Sequence, residues 1–327
     1  MKKFAIVSLM VVLALPLFAQ GGTEAKSDIF SASRDIEWTV TSKPGGGSDI
    51  YTRQISDIAT KAGLVDKSFL ISYKTDGGGE IGRLAVSRTK GDLANHTLLT
   101  FNSGDLMPMV KNTENRLENF TPIAVMAVDK QLLYIGEQSK YSSFAEVIDA
   151  INGGASVVIS GSKGDDIATY EALIEELGFD QNQLAFITND STSSAITEIL
   201  GGHVDLCMSK PAAAAQYVLA GKLKPILALS TTRFSGDLKD APLLSEVGNY
   251  KNVEVPVWRG LVGPKDMTAE AVKYYSDMAK KVSESEDWQK GYIEKNGLIS
   301  QFMDSTQAAA FMADYEAKYL KKIGKAK

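Results

Sequence analysis

Cysteine is nearly absent from this chain of 327 residues: Cys207 stands alone, and His96 and His203 are its only histidines. One thiol excludes an intrachain disulfide, and one thiol with two imidazoles is too few for a Cys/His zinc cage, so no structural metal or other cofactor is expected. Runs of Lys or Arg long enough to follow a phosphate backbone are missing as well. With 35 basic against 40 acidic residues, nucleic acid is not expected as a partner. The 44% hydrophobic and 23% charged content is that of an ordinary globular protein, and the length favours two domains over one.

The one long apolar run is N-terminal. Lys2 and Lys3 precede Phe4 to Ala19, after which Gln20 to Glu24 turn the chain polar. This is the pattern of a cleavable secretory signal peptide over residues 1–19, and the run is shorter than the ~20 apolar residues of a membrane span. With no cysteine after it, the mature protein is expected to be periplasmic, free of a lipid anchor and monomeric. Loss of Lys2 and Lys3 takes the balance to 33 basic against 40 acidic residues, a net charge of −7.

Residues 20–34 are small and polar and are expected to form a disordered mature N-terminus. From Ile36 short β-rich runs alternate with helical patterns: strands at Ile36 to Ser42, Phe69 to Tyr73 and Thr97 to Phe101, helices at Asp49 to Ala62 and Glu80 to Thr89. That is a βαβαβ unit. Two adjacent strand-like runs around Asp129-Lys130 break the alternation where a chain could cross between domains, and a second alternating block follows. The run from Val253 to Val262, helices at Ala269 to Ser283 and Trp288 to Lys295, and a last helix opened by Asp304 with Gln307 in a capping-box pattern are expected to return to the first domain. The expected division is 35–131 with 253–327 as domain 1, and 132–252 as an inserted domain 2.

Four loops after strands carry the chemistry. Gly45, Gly46 and Gly47 with Ser48 and Asp49 lie between the first strand and the first helix. Glycine lets the backbone approach a ligand closely, and a helix start offers unpaired N–H groups and partial positive charge, the makings of an anion cradle. The same spacing also fits a tight βα turn with Ser48 as N-cap. It is neither a Walker A loop nor G-x-G-x-x-G, which disfavours a nucleotide. Ser160, Gly161, Ser162, Lys163 and Gly164 repeat the arrangement in the second block, Asp190 and Ser191 open a third loop running to Ser194, and Asn102, Ser103 and Gly104 form a fourth. All stand at the carboxyl edge of strands, where open α/β sheets bind ligands. Arg259, beside Trp258, is either a bidentate carboxylate partner or one half of a surface ion pair.

Catalytic patterns are weak. A Ser-dependent hydrolase would need Ser48 or Ser162 with a base in reach, G-x-S-x-G fails because position 160 is serine, and neither histidine has a local carboxylate pair. No catalytic residue is assigned.

Read in order, Pro44-Gly45-Gly46-Gly47-Ser48-Asp49, Gly77-Gly78-Gly79, Thr121-Pro122-Ile123-Ala124, Leu200-Gly201-Gly202-His203-Val204-Asp205, Asp240-Ala241-Pro242 and Trp258-Arg259-Gly260 resemble the periplasmic receptors of tripartite tricarboxylate transporters, the Bug family, over nearly the whole mature chain. The resemblance implies an α/β, two-domain periplasmic binding protein type II (Venus flytrap) fold. It also implies a non-enzymatic role: capture of a small carboxylate between the domains, by the loops at 44–49 and 160–164, and delivery to the transporter's membrane components. The Trp-Arg-Gly form resembles the tricarboxylate-receptor branch and points to a citrate-like anion. Asp190 departs from the family's glycine-rich run there and would repel such an anion unless a cation offsets it, which keeps dicarboxylates and acidic amino acids open. A periplasmic sensor docking a membrane kinase is the alternative use of the same ligand.

Overall fold

The computed structural model describes residues 30–325. The expected signal peptide lies outside them, and among them no helix is long and apolar enough to cross a membrane. The chain begins with β1 (Ile36–Val40), α1 (Gly47–Lys61), β2 (Phe69–Tyr73), α2 (Glu80–Ser87), β3 (Thr97–Asn102), α3 (Ser103–Asn112) and β4 (Phe120–Asp129). It continues through β5 (Gln131–Gly136), α4 (Phe144–Asn152), β6 (Val157–Ser162), α5 (Asp165–Leu177), β7 (Leu184–Asn189), α6 (Thr192–Leu200), β8 (Leu206–Ser209), α7 (Pro211–Leu219), β9 (Leu223–Leu229) and the short α8 (Leu244–Val247). The closing elements are β10 (Val257–Pro264), α9 (Ala269–Glu284), the short α10 (Glu286–Trp288), β11 (Ile299–Met303) and α11 (Ser305–Lys322).

Two sheets result, ordered β11-β4-β10-β3-β1-β2 and β7-β6-β8-β5-β9. In the first, β1 runs parallel to β2 and β3 while β10 is antiparallel between β3 and β4. In the second, β6 runs parallel to β7 and β8, and β5 is antiparallel to β8 and β9. Each sheet has its own apolar core. Trp38, Tyr51, Ile55 and Trp288 are buried with the first, and Phe144, Leu173 and Leu206 with the second. The architecture is the two-domain type II fold, with the carboxyl ends of β1, β3, β6, β7 and β8 turned to the seam between the sheets.

Local chemistry sets the element ends. Tyr51, Ile55, Ile58 and Ala59 form the buried face of α1 as their spacing requires. The helix starts two residues before Asp49 because that carboxylate accepts the Gly45 N–H at 2.7 Å and folds the loop back. Asp304 and Gln307 exchange bonds at the start of α11, at 2.9 and 3.2 Å, the expected capping box. Two expectations change. Residues 30–33 are anchored rather than loose: the Phe30 ring lies edge-on or tilted against His96, Tyr274 and Tyr275, Ala32 is buried, and Ser33 donates its N–H to His96 Nε2 at 3.1 Å. The expected helix at Trp288 to Lys295 is a short α-turn running into a π-helix over Gln289–Glu294, which places the Trp288 and Tyr292 rings 4.7 Å apart.

Candidate functional site

Five helices start at the seam: α1 and α3 from the first domain, α5, α6 and α7 from the second. Their first-turn N–H groups have no partners inside their helices and carry the positive end of the helix dipole. Gly46, Gly47, Ser48, Asn102, Gly104, Ser191, Thr192 and Lys210, all at these helix starts, line a cavity of about 40 Å³. That is room for no more than a few waters, at about 10–15 Å³ each. The cleft is therefore closed. Contacts across it are Lys163 Nζ to the Thr41 carbonyl at 3.2 Å, Ser193 Oγ to the Pro44 carbonyl at 2.8 Å and a Lys43–Asp190 ion pair at 3.0 Å. Where the domains touch at Gly104 and Gly164, a Cβ on Gly164 would lie 2.5 Å from the Gly104 oxygen, so only glycine lets the backbones meet.

Charges below the cleft are numerous and mostly spent. Asp129 at the end of β4 accepts Arg259 Nε at 3.0 Å and also Nη2, both side chains buried. Lys210 pairs with both Asp165 and Asp166, and Gln131 Nε2 donates to the same two carboxylates at 3.0 and 2.9 Å. Asp166 further accepts the Ser162 N–H at 2.6 Å and its hydroxyl at 2.8 Å. Burial still pushes the Asp166 carboxyl up to about 6 against the pull of Lys210. Burial alone would lower Lys210, but Asp165 and Asp166 outweigh it and hold the ammonium above its ordinary value. Arg83 answers Asp105 at 3.0 Å and Glu80 at 2.8 Å.

Lys163 differs. It is half-buried, and among the described residues no carboxylate comes within ion-pair distance of it; its ammonium donates to the Thr41 carbonyl. Burial lowers its pKa, with Asp105 opposing and Arg83 adding to the effect. The Ser42 hydroxyl, which also lines the cavity, is buried without a partner.

The residues singled out in the sequence divide into three groups. Gly46, Gly47, Ser48, Ser162, Lys163, Asp190, Ser191 and Arg259 come together on the cavity wall. Gly45 and Asp49 lie just behind it, holding the loop: Asp49 also accepts Arg53 at 2.8 Å and the Tyr73 hydroxyl at 2.6 Å. Ser103, Ser160, Gly161 and Gly164 are not on this wall; the Ser160 hydroxyl turns into the second domain, donating to the Ala195 carbonyl at 2.9 Å. Arg259 fits neither alternative unchanged, being paired with an acid but in the interior. Asn102 and Gly104, from the fourth loop, are also on the wall, whereas Asp105, Asp165 and Lys210, which line it too, were not singled out as ligand contacts. Lys210 carried a signal, since it directly precedes Pro211 at a helix start after a strand. Neither candidate nucleophile has a histidine partner: Ser48 Oγ accepts from Asn102 and Ser162 Oγ donates to Asp166. Among the described residues no group of three His, Cys, Asp or Glu is arranged to hold a metal.

Two α/β domains closing on a polar seam lined by helix starts define a solute-binding protein of the periplasmic type II class. Residues 52–326 match the tripartite tricarboxylate transporter family receptor model, and the chain belongs to that family, as a receptor and not an enzyme. It is 24% identical, over 77% of its length and 74% of the relative's, to a UPF0065 protein from the tcbD-tcbE intergenic region of Pseudomonas sp. strain P51. Its structure is similar to the periplasmic binding protein BugD, with TM-score 0.78 and 20% identity, covering 90% of this chain and 99% of that one. It is also similar to MatC from Rhodopseudomonas palustris with bound malate, with TM-score 0.76 and 18% identity, covering 89% and 97%.

Proposed function

We propose that the protein is an exported periplasmic receptor that captures a small carboxylate, dicarboxylate or citrate-like, in the seam and delivers it to the membrane components of a tripartite transporter. The observation that carries this reading is the charge balance of the cleft. Its aspartates, including those in the first turns of α1, α3 and α5, are each met by a cation, whereas Lys163, the starts of α6 and α7 and the Ser42 hydroxyl have no carboxylate of their own at the cavity. Asp190, the one acid expected to repel the ligand, is offset by Lys43. The malate held by the similar R. palustris protein agrees with this class.

Each helix start contributes about 0.3 to 1 kcal/mol toward an anion, and up to about 2 when partly buried. At the exposed values five starts give about 1.5 to 5 kcal/mol, so Lys163, direct hydrogen bonds and desolvation on closure supply the rest of the roughly −8 kcal/mol of a micromolar complex. A cavity of about 40 Å³ admits such a ligand only when the domains part, so closure follows entry. A thermal-shift panel of di- and tricarboxylates, acidic amino acids and sugars tests the reading: stabilisation by carboxylates alone is expected, and stabilisation by sugars alone would overturn it.

A further inference from the structure

A second cavity lies in the same seam, beyond the Gly104–Gly164 contact. It encloses about 270 Å³ between α3 and α5, walled by Met107, Pro108, Ile167, Ala168 and Tyr319. Its character is opposite to that of the first. Most of its accessible wall is carbon; the exposed Lys111, Asn112, Glu171 and Thr188 also border it, and Arg83, the buried cation beside it, is fully engaged by Glu80, Asp105 and the Gly78 carbonyl. Lys163 borders both cavities. A Cβ on Gly78 would lie 3.9 Å from Lys163 Cδ, so its stem runs along the apolar cavity while its ammonium bonds Thr41 on the polar side.

We propose that the receptor takes a carboxylate with a sizeable apolar body, its carboxyl group at Lys163, which borders both cavities, and its ring or chain in the second. The proposal rests on the carboxylate reading above and names the substrate class. A fully polar acid such as citrate gains nothing from a carbon-lined chamber, whereas a ring leaves water on entering it. About 150 Å³ is enough room for benzene, and the second cavity is larger than that. Its volume of about 270 Å³ lies near the low end of the ~300–1,000 Å³ of small-molecule sites, which combine an apolar body with a few placed polar groups. Both walls belong to different domains, so a body held there also favours closure.

Titration calorimetry of the full mature protein with acetate, phenylacetate and malate provides the test, repeated on Ala168→Leu, which fills the chamber, and Ile167→Gln, which makes its wall polar. Phenylacetate is expected to bind at least tenfold tighter than acetate. Each variant should weaken phenylacetate at least tenfold and change malate less than twofold. If Ala168→Leu fails to fold, Ile167→Gln decides. Malate binding with phenylacetate no tighter than acetate, or phenylacetate indifferent to both substitutions, overturns the apolar chamber and leaves the carboxylate reading standing. Binding of none of the three overturns both.

Discussion

Replacing Gly164 by alanine should hold the domains apart without unfolding either. The added Cβ would lie 2.5 Å from the Gly104 carbonyl oxygen and 2.6 Å from its Cα, and ordinary contact begins at 3.4 Å, so the two backbones must separate by about 0.9 Å. Both colliding groups are main chain, which cannot rotate away. A shift of that size carries the Lys163–Thr41 bond, already 3.2 Å, out of hydrogen-bond range and strains the Ser193–Pro44 bond. At about 1 kcal/mol each, losing two such contacts weakens closure by about 2 kcal/mol, which is roughly 30-fold in affinity. Gly164 also has φ +72°, so alanine adds backbone strain of order 1–3 kcal/mol. Gly178→Ala separates the two effects, because Gly178 has φ +69° and nothing within 4 Å of its Cβ position. The assay is calorimetric titration with the carboxylate that most stabilises the native protein, together with a fluorescence-transfer pair across the seam. Gly164→Ala should bind about 30-fold more weakly and stay open, and Gly178→Ala should bind normally. Native affinity and closure in folded Gly164→Ala would refute the steric argument.

Three further outcomes follow from the same geometry. Gly46→Asp places a carboxylate at a position with ordinary van der Waals room, 3.5 Å from the Lys43 carbonyl and 3.6 Å from Ser191 Cβ; titration should show affinity lost by about 100-fold or more, near 3 kcal/mol, with the melting temperature little changed. Asp129→Asn leaves the buried Arg259 guanidinium without its carboxylate, and denaturant unfolding should show a loss of about 3–5 kcal/mol. The Asp166 carboxyl, raised by burial to about 6, binds its proton more readily in the native state than in the unfolded chain. Its contribution is therefore fully present below about pH 4 and is lost as pH rises through 6, by roughly 3 kcal/mol. Urea titrations from pH 4 to 6.5 should show native stability falling by about that amount relative to Asp166→Asn; a constant difference would contradict the assignment.

The fold was legible because its signals are local. Strand runs, the stripe Tyr51, Ile55, Ile58 and Ala59, and the Asp304–Gln307 box each declare themselves within one or two turns, and the glycine loops mark the helix starts that line the cavity. What was not legible depends on distance along the chain. Asp129 and Arg259 are 130 residues apart, and Asp165 and Asp166, in the first turn of α5, look the same in sequence whether they cap a surface helix or bury an ion network under Lys210. Phe30 resembles a tether residue until the aromatic pair Tyr274 and Tyr275 is brought beside it. Ser160 and Ser162 should share a face of β6 by its alternation, yet the first hydroxyl bonds the Ala195 carbonyl inside the second domain, while the second, at the strand's last residue, reaches the seam and Asp166 of α5.

A crystal structure with the most stabilising carboxylate tests the central claim most directly. The carboxylate is expected in the seam, its oxygens at about 2.7–3.2 Å from Lys163 Nζ and from the first-turn N–H groups of α1. A carboxylate seated elsewhere, with Lys163 and the Gly46–Ser48 loop left in contact only with protein, would contradict it.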